Sequence, residues 1–154
     1  MSVSEWPWYR AERPSAAVRY TIEERPHTKK NSGRIVSTRG RPRVLPSSAS
    51  VEWTRAARRA LLSQRVGRPV ITEPVALSIY VYRDRAVGDL DGYVAAVMDA
   101  LQCSRGVVGR TRLIGTDGII RDDAQVVQLE ARLYLDRARP RVEVVVAPVG
   151  HSES

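Results

Sequence analysis

The sequence predicts an α+β fold, a small mixed β-sheet packed with helices in a single domain. Three observations lead there. The chain has 154 residues, the size of one compact domain. Four stretches alternate apolar and polar residues with the period of a strand. Two further stretches, set between them, repeat their apolar residues at helical spacing and carry helix start and stop signals. The order is strand, helix, strand, helix, strand, strand.

Residues 1–16 are polar and Pro-interrupted, and read as a flexible, loosely packed arm, so the domain proper spans 17–148 and 149–154 form a disordered tail. In AVRYTIEE, Val18, Tyr20 and Ile22 share one face, as in a half-buried strand. The stretch that follows, RPHTKKNSGRIVSTRGRPRVLPSS, is rich in Pro, Gly, Ser and basic residues and reads as a long exposed loop. A helix then starts at Ser48 or Ser50 and stops at Gly67, with Trp53, Ala57, Ala60 and Leu61 as its apolar stripe. Arg55, Arg58, Arg59 and Arg65 lie mainly off that stripe, where a solvated face is the commoner reading and a DNA-facing one the alternative.

PVALSIYVYR sets Val75, Leu77, Ile79 and Val81 against Ala76, Ser78, Tyr80 and Tyr82, the alternation of a strand. The next helix puts Leu90, Val94, Val97, Met98 and Leu101 on one stripe. CSRGVVGRTRLIGTDG reads as a basic loop or short hairpin arm. AQVVQLEARLYL and RVEVVVAPV are two more strands, and the turn DRARPR between them favours an antiparallel hairpin.

Charge narrows the function classes. The net charge is +8, and a small, strongly basic protein is expected to meet a polyanion, most commonly nucleic acid. Arginine supplies nearly all of it, since the only lysines are Lys29 and Lys30. The single Cys103 agrees with a reducing compartment, and no apolar run resembles a secretory signal or a membrane span, so a cytoplasmic location without membrane attachment is expected. One Cys and two His (His27 and His151) exclude a Cys/His zinc framework. A metal here would be held by oxygen, which favours Mg²⁺, with Mn²⁺ as a substitute.

Four carboxylates stand out. Asp89 and Asp91 sit where a strand hands over to a helix, and Asp122 and Asp123 sit where the next strand begins. If those two strands pair side by side, the acids converge, and a divalent cation relieves their mutual repulsion and makes a site for phosphodiester hydrolysis. Taken one at a time, each acid has an ordinary alternative as a helix cap, a dipole-complementing residue or a turn residue. A calcium loop is excluded, because no third acid follows two residues after DLDG and no glutamate closes the loop.

DLDGYVAAVMDAL, then a Gly-containing loop, then GIIRDDAQV resembles the RusA-like family of Holliday junction resolvases, in its phage or prophage type. TKKNSGRIV, GRPRVLPS and the Trp-containing helix resemble segments of the same family, so the likeness runs in order over about residues 18 to 147. The resemblance implies a RusA-like fold and a homodimeric, Mg²⁺-dependent crossover junction endonuclease. Such an enzyme acts in DNA recombination and repair, in a bacterial cell or a phage-infected host, and resolves four-way DNA junctions by paired symmetric nicks. Carried over by motif, Asp89, Asp91 and Asp123 are the catalytic metal ligands and Asp122 is auxiliary. Some family members carry a lysine six residues after the first Asp of D-L-D; here Ala95 stands there, and Lys30, or failing that Lys29, is expected to supply the missing cation. Lys29, Lys30, Arg39, Arg41, Arg43, Arg105, Arg110 and Arg112, in the basic loops, are the expected DNA phosphate contacts. The rival reading is a basic DNA-binding protein of the same fold without cleavage activity. An RNA-binding module is disfavoured by the acids and by the lack of an aromatic platform motif.

Overall fold

The computed structural model describes residues 17–29 and 33–149. They form a small mixed α+β domain. Its strands are β1 (Val18–Ile22), β2 (Gly33–Thr38), β3 (Arg41–Pro46), β4 (Val75–Arg83), β5 (Arg105–Val108), β6 (Thr111–Ile114), β7 (Val126–Leu135) and β8 (Arg141–Pro148), and its helices are α1 (Ser48–Gln64) and α2 (Leu90–Leu101). The main sheet has the order β1-β8-β4-β7, with β4 and β7 parallel and every other neighbour antiparallel. The arm 1–16, residues 30–32 and the tail from 150 lie outside the described residues.

The alternation read in the sequence decides which side chains enter the core. Val75, Leu77, Ile79 and Val81 of β4 meet Val142, Val144 and Val146 of β8 and Tyr20 and Ile22 of β1 under the two helices. From α1 come Trp53, Ala57 and Leu61, with Ser50 buried beside them and Ala60 only partly covered. On α2 the buried arc is Gly92, Tyr93, Ala96, Val97, Ala100 and Leu101, turned by about one residue from the expected stripe. Val94 and Met98 pack at its margin. Small residues dominate that arc because α2 touches both α1 and the sheet strand β7 and needs close approach on two sides.

The expected hairpin of the last two strands does not form. β7 and β8 lie on opposite sides of β4, and the turn between them passes over the end of β4. The two strands differ in burial accordingly. Val142 and residues Val144 to Ala147 are buried, so β8 is covered on both faces as a central strand, whereas β7 leaves Val127, Leu129 and Leu135 exposed as an edge strand. Asp136 holds the connection by accepting hydrogen bonds from the backbone N–H of Ala138 and Arg139.

The expected long loop before α1 is also corrected. Within it β2 and β3 pair antiparallel. Arg39 (φ 52°) and Gly40 (φ 75°) occupy the turn, and two successive positive φ angles are the mark of a type I′ hairpin turn. Pro42 and Pro46 hide this in the sequence, but in a two-stranded ribbon every strand is an edge, where proline is tolerated. β5 and β6 form the second small hairpin, as one of the two readings of that segment expected, turning at Gly109 (φ 64°). Among the described residues, no helix is long and apolar enough to cross a membrane.

Candidate functional site

Asp89 and Asp91 stand at the start of α2, just beyond the C-terminal end of β4. The loop between is fixed from three sides. Arg83 donates from Nη1 to the carbonyls of Val87 (3.1 Å) and Gly88 (2.8 Å), and the Tyr93 hydroxyl donates to Val87 O. Gly88 takes φ 85°, which favours glycine, and a Cβ there would press on the end of the Tyr93 ring, 3.1 Å from its hydroxyl. Asp89 occupies the N-cap position in extended conformation, yet its carboxylate makes no capping hydrogen bond. Its main-chain oxygen accepts from Gly92 N and Tyr93 N instead. Asp91 Oδ1 accepts from Gly92 N at 3.0 Å, and both acids are exposed.

Asp122 and Asp123 belong to a single 3₁₀ turn, Asp123–Gln125, that leads into β7. Asp122 is the working cap of that turn: Oδ1 accepts from Ala124 N at 2.8 Å, and its own N–H donates to Gln125 Oε1 at 2.7 Å. Gln125 Nε2 ties the turn to the carbonyls of Ile71 and Glu73. Asp122 also pairs with Arg105. The Ala124 N–H, a hydrogen bond with the Asp123 side chain and the charges of Arg105 and Arg121 hold its carboxyl below the usual range. Asp123 is exposed and faces a groove.

The two acid pairs do not meet within one chain. β4 and β7 do pair side by side, but in parallel, with Val75 opposite Val126 and Arg83 opposite Leu135. The start of β7 therefore lies at the start of β4, while Asp89 follows the far end of β4. α2 measures the separation. Asp91 is in its first turn, whereas its last residue, Leu101, accepts backbone hydrogen bonds from Ile119 and Ile120, next to Asp122. Twelve helical residues span roughly 18 Å at ~1.5 Å each. No carboxylate side chain bridges that distance. Consistently, among the described residues no group of three or more His, Cys, Asp or Glu is placed to hold a metal.

The basic residues divide as well. Lys29 runs alongside α2: its N–H donates to Gly92 O at 3.1 Å, and its Nζ pairs with Asp99 at 2.7 Å. That contact brings the segment to the first turn of α2, beside Asp91. Lys30 lies outside the described residues. Arg39 and Arg41 are exposed on the first hairpin; of Arg43 only the backbone, within β3, is described. On the second hairpin Arg105 and Arg112 fall on the same face, with Arg105 opposite Ile114 and Arg112 opposite Val107. Arg110 sits in its turn.

The foot of that second hairpin is pinned to α2. Ser104 N donates to Asp117 Oδ1 at 2.7 Å, and Arg65 donates to the carbonyls of Thr116 and Gly118. Burial pushes the Asp117 carboxyl up, but the Ser104 backbone and hydroxyl and the Arg58 charge outweigh it and leave its pKa lowered. A Cβ on Gly118 would stand 2.6 Å from Leu101 O, Gln102 C and Cys103 N, so the chain can pass there only as glycine.

Between α1, α2 and this foot opens a groove of about 1070 Å³. Asp123, Lys29 and Arg105 line it, as do Arg55, Arg58 and Arg59 of α1, for which a solvated face is the commoner expectation from sequence. The signal for them is their spacing: residues i, i+3 and i+4 share one side of a helix.

No family model matches the chain, and no curated protein sequence matches it.

Proposed function

We propose that the protein is a Mg²⁺-dependent, structure-selective endonuclease that resolves four-way DNA junctions as a homodimer. The observation that carries this reading is the start of α2. A cap residue whose carboxylate makes no capping bond, with a second exposed carboxylate two residues on, is more acid than the helix end itself requires. It lies beyond the carboxyl end of a parallel strand, where open sheets commonly bind ligands. The donor set fits the ion, because Mg²⁺ is usually held by one or two carboxylates and keeps several waters. Bound by Asp89 and Asp91, the cation would act as a Lewis acid on the scissile phosphate and lower the pKa of an attacking water. Asp123 would supply the third carboxylate, and Asp122, already committed to its turn and to Arg105, would hold Asp123 in place. Lys30, next to a residue hydrogen-bonded to Gly92, is the candidate cation for the scissile phosphate in place of a lysine at Ala95.

The separation of the acids within one chain is reconciled by a second copy. β7 has an open edge lined by exposed Val127, Leu129 and Leu135. Two β7 strands related by a two-fold axis would pair antiparallel, setting the start of one sheet against the far end of its partner's. That pairing would carry Asp123 of one protomer toward Asp89 and Asp91 of the other, and two such sites would suit a two-fold symmetric junction. Mixing tests it. Asp89→Asn and Asp123→Asn homodimers should each be inactive on a synthetic junction with Mg²⁺, whereas mixed dimers regain one intact site and nick one strand. If each variant is inactive and the mixture stays so while exchanging subunits, the sites do not form across the dimer.

The rival reading, a DNA-binding protein of this fold that does not cleave, is favoured by the lack of a three-acid group among the described residues of one chain. Wild-type protein that binds the junction and leaves it uncut at every Mg²⁺ and Mn²⁺ concentration decides for it.

A further inference from the structure

We infer that the groove between α1 and α2 holds a single DNA strand by its phosphates, chiefly through Arg55 and Arg59 of α1. The inference rests on the nuclease reading for its biological substrate but not for its chemistry. Arg55, Arg58 and Arg59 share one side of α1 and all reach the groove. Arg58 is committed to the fold: it donates to the carbonyls of Asp99 (3.0 Å) and Gln102 (3.3 Å) at the end of α2 and lies 3.7 Å from Asp117. Its buried Nε–H has no acceptor. Arg55 and Arg59 are exposed, and no acid pairs with them among the described residues. Like charges one turn apart repel each other, and a polyanion relieves that repulsion. Arg105, paired with Asp122, also lines the groove. Of the three acids that line it among the described residues, Asp99 is neutralised by Lys29, Asp117 lies beside Arg58, and Asp123 is exposed.

The chemistry that complements this wall is a repeating anion. Guanidinium groups suit phosphate, and charges repeated along one helix face suit phosphates repeated along a strand. A stiff duplex would lie across a groove of about 1070 Å³, whereas an unpaired strand at a branch point can bend into it. Among the described residues no exposed aromatic side chain lines it, so the contact is to the backbone and carries little sequence preference. A strand held there would pass Asp123, which lines the same groove.

The test uses the full-length protein and a fluorescent oligothymidine, with binding read by anisotropy across a salt series. Arg55→Gln with Arg59→Gln should weaken oligothymidine binding by about tenfold and lower the salt slope by roughly 1.4, the loss of two single-strand phosphate contacts. Affinity for a blunt duplex should change by less than about twofold, since hairpin contacts on duplex phosphates remain. Arg19→Gln with Arg137→Gln, which removes the same charge from outside the groove, should leave both affinities unchanged. A thermal melt checks that the folds match. Unaltered oligothymidine binding by the α1 variant, or an equal loss from the duplex or from the Arg19/Arg137 control, overturns the groove assignment. The nuclease reading fails separately: wild-type protein that binds oligothymidine through Arg55 and Arg59 but never cuts a junction keeps the groove and loses the enzyme.

Discussion

The two ends of α2 put their carboxylates to different use. An arginine grips main-chain carbonyls near each end, Arg83 those of Val87 and Gly88 and Arg58 those of Asp99 and Gln102. The carboxylates differ: Asp89 makes no capping bond and Asp91 accepts from the N–H of its own neighbour Gly92, whereas Asp117 ties down Ser104 N and Asp122 caps its turn and pairs with Arg105. A carboxylate that shapes the chain is poorly suited to leave for a ligand. Altering Asp89 or Asp91 is therefore expected to cost chemistry and altering Asp117 or Asp122 to cost stability, while Asp123, exposed beside Asp122, is expected to behave as the first pair does.

The largest effect expected is on cleavage. Asp89→Asn, Asp91→Asn and Asp123→Asn each should lower the single-turnover rate on a four-way junction by at least ~100-fold, since a metal contributes several kcal/mol to such a transition state. Junction affinity and melting temperature should hardly move, because the amide keeps the shape and the cationic surfaces are untouched. Wild-type cleavage in all three would remove the metal-site assignment and with it one side of the comparison.

Next comes Gly118→Ala. Three backbone atoms lie 2.6 Å from where the added methyl would sit, and backbone cannot swing aside as a side chain can. A stability loss of about 2–3 kcal/mol in urea denaturation is expected, the upper part of the range for overpacking. An unchanged midpoint would mean that the C-terminal end of α2 is looser than the hydrogen bonds around it imply.

Asp122→Ala should lower the urea midpoint, since it removes the cap of the turn that leads into β7, and Asp122→Asn should impair cleavage less than Asp123→Asn does. The same end should respond to acid. Asp122 and Asp117 both titrate below their ordinary value in the folded protein. Their contribution is thus present above the unfolded-state carboxyl range, near pH 4, and is lost as pH falls through the lower folded values. Hydrogen exchange at pH 3 against pH 6 should show the segment from Leu101 to Gln125 opening before β4 and β8 do, and uniform opening would contradict the contrast.

The smallest effect belongs to the lysines. Lys30→Ala should lower the cleavage rate on saturating junction more than it lowers affinity. Lys29→Ala, which removes an exposed pair with Asp99, should change stability by less than about 1 kcal/mol. Equal rates for both variants and wild type would pass the role to an arginine such as Arg83, Arg85 or Arg121.

Strand and helix positions were legible because burial imposes a period on Val75–Val81, on Val142–Val146 and on Trp53–Leu61, and a period survives in a single sequence. Strand neighbours were not. DRARPR suggests a tight turn, and the apolar run Val144–Ala147 in β8, which a strand covered on both faces tolerates, is the one local trace of β4 coming between them. The hairpin of β2 and β3 was masked by prolines that are harmless on an edge. At the site, the acids were found by their motifs, but their separation follows from the parallel sense of β4 and β7, which local sequence does not encode. The α1 arginines were visible as a cluster, but that Arg55, Arg58 and Arg59 line a groove follows from the packing of α2 and of the hairpin foot, which local sequence does not encode.

The place of β8 also constrains how the protein can be made. Among the described residues it is the last strand, and it lies between the first, β1, and β4, so Val146 pairs with Val18 across almost all of them. Until a ribosome has released the residues up to Pro148, β1 has no sheet partner and one long apolar edge of β4 stays open. Most of the sheet must then close at once, through contacts distant in sequence, a slow kind of folding in which unpaired edges are exposed to other chains. Expression at lower temperature or with a holding chaperone should therefore raise the yield of native protein more than any change confined to the helices.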